Sequence, residues 1–275
     1  MPETPPHCVI TGAGSGLGRA IALQLARPGA TLLLADIDPA TAAETARLVE
    51  QLGAVAHATT VDVADATQVE RLGADADRLL GRIDLVVNNA GVAAAGAVGQ
   101  TPLEDWRWIV GINLWGVIHG CHVFAPRLAA QGGGAILNIA SMAGIVCAPL
   151  MGSYNVTKAG VIALSETLAA ELRDHGVRVT VLCPAFFRTN LLETARSATA
   201  ELAALGRTAF AHSTMSADEV AATALRAVAR GRLYCLPMGA GRIVWRFKRA
   251  LPERYARLLS PARMRRLARW GQRAV

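Results

Sequence analysis

Tyr154 and Lys158 stand four residues apart in Ser153-Tyr-Asn-Val-Thr-Lys158, and Ser141 lies thirteen residues before the tyrosine. On a helix, positions i and i+4 share a face, so the phenol and the ammonium lie side by side. A neighbouring cation stabilises a phenolate and draws a tyrosine pKa down from about 10. Bringing it to about 7 takes roughly 4 kcal/mol of differential stabilisation, which a charge in a dry site can supply. A tyrosine so tuned could transfer protons near neutral pH. The same spacing is also an ordinary amphipathic pair, so its meaning depends on the rest of the chain.

The elements that must position this pair begin near the N-terminus. His7 to Thr11 reads as a short buried strand, followed by Thr11-Gly-Ala-Gly-Ser-Gly-Leu-Gly18 and the helical stretch Arg19 to Ala26. Strand, glycine-rich turn and helix N-terminus in that order make an anion site, because unpaired N–H groups and the positive helix end face a phosphate. The spacing departs from G-x-G-x-x-G: counted from Gly12 the sixth position is Leu17, and from Gly14 it is Arg19. What stands here is T-G-x-x-x-G-x-G, with a flexible turn as the plainer alternative.

Four further segments accompany these two: Asn88-Asn-Ala-Gly91 after a strand, Asn113 in Gly-Ile-Asn-Leu-Trp, Ser141 after Leu-Asn-Ile-Ala, and Cys183-Pro-Ala-Phe-Phe-Arg-Thr189. In this order the motifs resemble the short-chain dehydrogenase/reductase family, over roughly residues 7 to 237. The resemblance implies an oxidoreductase that interconverts a secondary alcohol and a ketone with a nicotinamide cofactor. Tyr154 would be the general base in oxidation and the acid in reduction. Lys158 would bind the nicotinamide ribose and lower the tyrosine pKa, Ser141 would hydrogen-bond the reacting oxygen, and Asn113 would help hold a water beside Lys158. Gly12, Ser15, Gly16, Leu17 and Gly18 would hold the pyrophosphate. Asp62 and Val63 would meet the adenine, Asn89, Ala90 and Gly91 would line the cofactor, and Pro184, Phe187 and Thr189 would lie near the nicotinamide. Ala185 departs from the glycine common in relatives after this proline.

Asp36 closes the apolar run Leu32-Leu-Leu-Ala, eighteen residues after Gly18. An acid there can accept hydrogen bonds from ribose hydroxyls and would repel a 2′-phosphate, so NAD(H) is expected over NADP(H). Ile37 is not basic, and Ser15 is not the Arg or Lys that phosphate-preferring relatives carry. Asp38 before Pro39 is the better helix N-cap, which leaves Asp36 free for this role.

Apolar runs recur with helical stretches between them, at His7–Thr11, Ala30–Ala35, Ala54–Val61, Ile83–Val87, Ala135–Ala140, Val177–Leu182 and Leu233–Leu236. Strands buried on both faces read in this way, and alternation with helices implies an α/β, Rossmann-type three-layer doubly wound sheet of about seven parallel strands. Residues 1–240 are expected to form one catalytic domain and 241–275 a basic amphipathic extension. The first strand begins too early for a signal peptide, and no run of about 18 apolar residues is evident, so a cytoplasmic protein is expected. Five widely spaced cysteines, Cys8, Cys121, Cys147, Cys183 and Cys235, fit buried thiols in a reducing compartment. His119 and His122, at i and i+3, lack a third ligand and read as helix packing; His57, His175 and His212 receive no role. No metal is expected.

Met142, Ala143, Gly144, Val146, Pro149, Leu150 and Met151, with Phe186, Phe187, Leu191 and Leu192, either line an apolar substrate pocket or pack the core. The pocket reading favours a steroid, retinoid or fatty-chain substrate. Residues 193–215 read as a helical lid over it. The chain carries a formal charge of +7, while Gly241 to Val275 holds ten Arg and one Lys against Glu253, so the whole basic excess lies in the tail. Pro252 and Pro261 divide the tail into short helical pieces, with Tyr255/Leu258/Leu259 and Met264/Leu267 at helical spacing and arginines beside Trp245, Phe247 and Trp270. Contact with an anionic membrane surface, docking on a protein partner or on its own subunit, and a solvated basic face are the open readings; nucleic acid is disfavoured because no recognised motif accompanies the charge. A homodimer or homotetramer is implied by resemblance. The competing functional classes are a non-catalytic cofactor-sensing scaffold and a membrane-recruitment protein.

Overall fold

Strands β1 (His7–Thr11), β2 (Thr31–Asp36), β3 (Val55–Thr60), β4 (Leu85–Asn88), β5 (Gly134–Ile139), β6 (Val177–Leu182) and β7 (Tyr234–Cys235) form one sheet. The computed structural model describes residues 6–187, 191, 195–197, 199, 204, 213 and 215–259. The strand order is β3-β2-β1-β4-β5-β6-β7, and every pairing is parallel. This is the doubly wound arrangement expected from the alternating runs.

Helices α1 (Gly16–Leu25), α2 (Pro39–Gln51), α3 (Ala66–Leu80), α4 (Leu103–Val110), α5 (Gly116–Ala130), α6 (Met142–Val146), α7 (Gly152–Glu171), α8 (Ala217–Ala229), α9 (Gly239–Ala250) and α10 (Pro252–Leu258) accompany the sheet, with a π-helical turn at Gly111–Trp115 and a 3-10 turn at Arg173–His175. Alternate residues of each strand face opposite sides of the sheet. Val9 and Leu33 therefore pack with Leu72, Phe124 and Val161 of α3, α5 and α7. Ile10 and Leu34 pack with Ile21, Val49 and Val220 of α1, α2 and α8. Asp38 caps α2, accepting from the Ala40 N–H at 2.9 Å, with Pro39 in the first turn.

Four expectations change. β3 is half exposed, because it is the edge strand. Cys147 is exposed while the other four cysteines are buried, all five as free thiols. The helical run Leu103–Ala130 is long and apolar enough to cross a membrane, yet half of its apolar 18-residue window is buried, with α5 packed on α3 and the sheet. Of residues 193–215, Arg196–Ser197 forms a short strand paired with Ala94–Ala95 rather than a helix, and most of the segment lies outside the described residues, as do Leu192, His212 and the tail beyond Leu259.

Candidate active site

Chain order reverses between β1 and β4, so the loops at their carboxyl ends part around a crevice. Thr11 joins the two loops: its hydroxyl accepts from the N–H groups of Asn89 (3.0 Å) and Ala90 (3.2 Å) and donates to the Val87 carbonyl. Asn89 reaches back with its amide to the carbonyls of Thr11 (3.0 Å) and Gly12 (2.9 Å). Gly12 has φ +62°, and a Cβ on it would come within 2.7 Å of Ala90 Cα. A Cβ on Gly18 would stand 2.0 Å from the Gly12 carbonyl oxygen, so the first turn of α1 lies directly against the turn that precedes it.

The N-terminus of α1 has the character of an anion site. Ser15 is its N-cap but makes no side-chain capping bond, and its first turn holds no acid. Those N–H groups and the helix dipole suit a pyrophosphate. Asp36 stands at the end of β2, where Oδ2 accepts from the Gly14 N–H at 2.7 Å and Oδ1 from the Asp38 N–H at 3.1 Å. Asp36 thus ties the glycine turn as well as presenting a negative charge. Asp62 caps its own turn by accepting from the Ala64 N–H at 2.9 Å. Val63 is buried and its side chain packs toward Gly116, which leaves only its backbone for an adenine. Leu17 and Phe187 are likewise buried in the core on the α1 side, and Thr189 lies outside the described residues. With its close backbone approaches, uncapped helix end and flanking acid, this cradle fits a dinucleotide.

Around Tyr154 the chemistry assembles from β5, α6 and α7. Ser141 ends the β5 connection and caps α6, accepting from the Ala143 N–H at 3.1 Å and donating to the Pro184 carbonyl at 3.4 Å. Pro184 also accepts from the Met142 N–H at 2.8 Å, so the β6 loop holds the serine from behind. A Cβ on Gly144 would meet the Lys158 carbonyl carbon at 2.5 Å. This bare crossing of α6 over α7 brings Ser141 near enough to Tyr154 for its hydroxyl to act on the phenol.

Tyr154 and Lys158 are both buried, at 8% and 4% exposure. Burial pushes the Tyr154 phenol up to about 12, against the lowering effect of Ser141. Burial also brings the Lys158 ammonium down to about 8, opposed by the Cys183 thiol. The expected lowering of the tyrosine by its lysine is therefore reversed in the protein alone. The Nζ lies 5.7 Å from the ring centre and donates instead to the Ile139 carbonyl at 2.9 Å, so desolvation outweighs the charge.

Asn113 sits fully buried in the π-helical turn. Its side chain is tied to the neighbouring loop: Oδ1 accepts from the Val92 N–H at 2.7 Å and Nδ2 donates to the Val92 carbonyl at 2.8 Å. It fixes the loop after Gly91, where a Cβ would come within 3.5 Å of Lys158 Nζ. Asn88, beside Asn89 in sequence, points the other way, donating to Asn138 at 2.8 Å, and Asn138 in turn donates to Ser165.

The apolar setting of Tyr154 differs from the one read along the chain. Ala143 and Met151 do pack there, but with Val92, Ala93, Ala94, Trp108, Ile109 and Val110, which sequence reading missed. Trp106-Arg-Trp-Ile-Val110 directly before Asn113 was the available signal; for Ala94 there was none. Met142 is buried in the main core with Val146 against it, and Gly144 is a packing residue, so these three serve the fold rather than the cleft. Phe186 is about half exposed, and Leu150 is 37% exposed with φ +66°.

Comparison with known proteins points to one family. The family model for short chain dehydrogenase matches residues 6–200. "Probable oxidoreductase EphD" of Mycobacterium tuberculosis is 40% identical over 186 residues, 67% of this chain but only 31% of EphD, so the match spans less than a third of that protein. "1-deoxy-11-beta-hydroxypentalenate dehydrogenase" of Streptomyces exfoliatus is 36% identical over 240 residues, 86% of this chain and 84% of the relative. A Burkholderia phymatum short chain dehydrogenase/reductase crystallised with NAD superposes with TM-score 0.85 at 35% identity, covering 90% of this chain and 94% of that one. A Sphingobium yanoikuyae short-chain dehydrogenase in complex with NADPH gives TM-score 0.77 at 28% identity over 94% and 97%. From its glycine turn to the crossing that carries Ser141 and Tyr154, the chain belongs to the short-chain dehydrogenase/reductase family.

Proposed function

We propose that the protein is an oxidoreductase that interconverts a hydrophobic secondary alcohol and its ketone, using NAD(H) in preference to NADP(H). The observation that carries this reading is the buried Tyr154 with Lys158 one turn along the same helix, its Nζ 5.7 Å from the ring centre, and Ser141 at the N-cap of the adjoining α6. In carbonyl reduction the Tyr154 Oη gives its proton to the substrate oxygen, and in alcohol oxidation it takes one. Ser141 Oγ steadies that oxygen, while Lys158 supplies the cation that offsets a phenolate. When bound, the nicotinamide supplies or accepts the hydride.

Asp36 supports the NAD(H) preference, since its carboxylate beside Gly14 would repel a ribose 2′-phosphate. Solved relatives carry either NAD or NADPH, so family membership alone leaves that choice open. The substrate class is supported by the apolar residues around Tyr154 and by a relative named for dehydrogenating a hydroxyl-bearing compound.

The test is nicotinamide absorbance with a panel of apolar alcohols and ketones and both cofactors. Turnover should be at least tenfold better with NAD(H) in kcat/KM, and Tyr154→Phe should abolish it while leaving cofactor binding intact. A Tyr154→Phe variant that keeps its turnover would sink this mechanism. Tight cofactor binding with no turnover on any panel member would favour the sensing scaffold instead.

A further inference from the structure

The C-terminal helices present two faces with different chemistry. The inner face of α9 is occupied by its own subunit: Gly241 lies against Met142, Trp245 packs on Tyr234 at 5.1 Å, and Lys248 Nζ donates to the Ile145 carbonyl at 2.6 Å. Tyr255 of α10 donates to the Val146 carbonyl at 2.9 Å. Docking on its own subunit thus accounts for these apolar and aromatic groups.

The outer face is left. Arg242, Arg246 and Arg249 recur at i, i+4 and i+7 along one side of α9, all exposed, with Ile243 among them at 71% exposure. Leu251 and Arg254 continue this exposed surface in sequence. Arg249 leans on Trp245 and reaches Glu166 at 4.0 Å, whereas among the described residues Arg242 and Arg246 form no salt bridge, and Glu253 on α10 is the one acid of the tail. Residues 241–275 hold a net +10, against −3 for the first 240, so the chain's net positive charge comes from this segment of the sequence.

We propose that the outer face of α9 and α10 binds the surface of an anionic lipid bilayer. Guanidinium groups attract acidic headgroups, and an exposed Ile243 between them gains by entering the acyl boundary. Phosphate contacts on a nucleic acid would use the arginines but give the aliphatic side chain nothing.

The experiment is co-sedimentation of the full chain with phosphatidylcholine vesicles, with and without phosphatidylglycerol. The protein should pellet only with phosphatidylglycerol present and should be released by high salt. Arg242→Gln/Arg246→Gln should weaken binding by roughly thirtyfold, at about 1 kcal/mol per charge. Ile243→Ser should weaken it further at constant charge, and Arg78→Gln/Arg173→Gln, outside the tail, should not. Matched circular dichroism melts establish that each variant is folded. Failure to pellet, equal pelleting with neutral vesicles, undiminished binding by the double tail variant, or displacement from the vesicles by equimolar RNA overturns the proposal.

Discussion

Lys158 Nζ donates to the Ile139 carbonyl at 2.9 Å, so the buried cation beside Tyr154 is anchored by the last residue of β5 as well as by its own helix. A charge in this setting is held in place but poorly solvated, and the two consequences separate experimentally.

Because burial brings Lys158 down to about 8, the folded protein releases its proton before the unfolded chain does. The burial penalty is fully present below pH ~8 and is relieved as pH rises through the unfolded value near ~10.4. Wild type should therefore gain stability relative to Lys158→Met between these limits, by on the order of 3 kcal/mol. Urea midpoints of both proteins from pH 7 to 10 measure the difference, and a constant gap would mean that the ammonium is solvated.

Asp36→Asn removes a charge while keeping an oxygen acceptor for the Gly14 N–H. The ratio of kcat/KM for NADH to that for NADPH should fall at least tenfold, chiefly through a lower KM for NADPH. Stability should change by less than about 1 kcal/mol, because the loop contact survives. A large loss of stability with no change in the ratio would make Asp36 a tether alone.

Gly144→Ala places a methyl where only 2.5 Å separates it from the Lys158 backbone. α6 must rise off α7, which should cost about 1–3 kcal/mol. Since Ser141 caps α6, kcat should fall more than the folded fraction does. Turnover per folded molecule, with the fold quantified by denaturant titration, checks this.

Lys248 and Tyr255 hold the carbonyls of Ile145 and Val146, just before Cys147, which sits in a left-handed conformation at φ +54°. Lys248→Met with Tyr255→Phe should cost about 2–4 kcal/mol together. It should also raise the labelling rate of Cys147, the one exposed cysteine, in a native thiol titration. An unchanged labelling rate would mean that this turn holds its shape without the tail.

Sequence determined the sheet, the glycine turn and the Ser141, Tyr154 and Lys158 set, because each rests on local rules. Buried parallel strands need apolar runs, a phosphate cradle needs glycines at a helix start, and i, i+4 fixes the relation of Tyr154 to Lys158. Tertiary structure alone decided what those groups experience. The sign of the Tyr154 shift depends on how completely Val92, Trp108, Ile109 and their neighbours exclude water, and these come from segments far from α7 in sequence. The use of Asn113 on Val92, of Asn89 on Gly12, and of Gly144 at a helix crossing likewise depends on contacts between distant segments. Desolvation and close packing are properties of the assembled neighbourhood, so no spacing along the chain could have encoded them legibly.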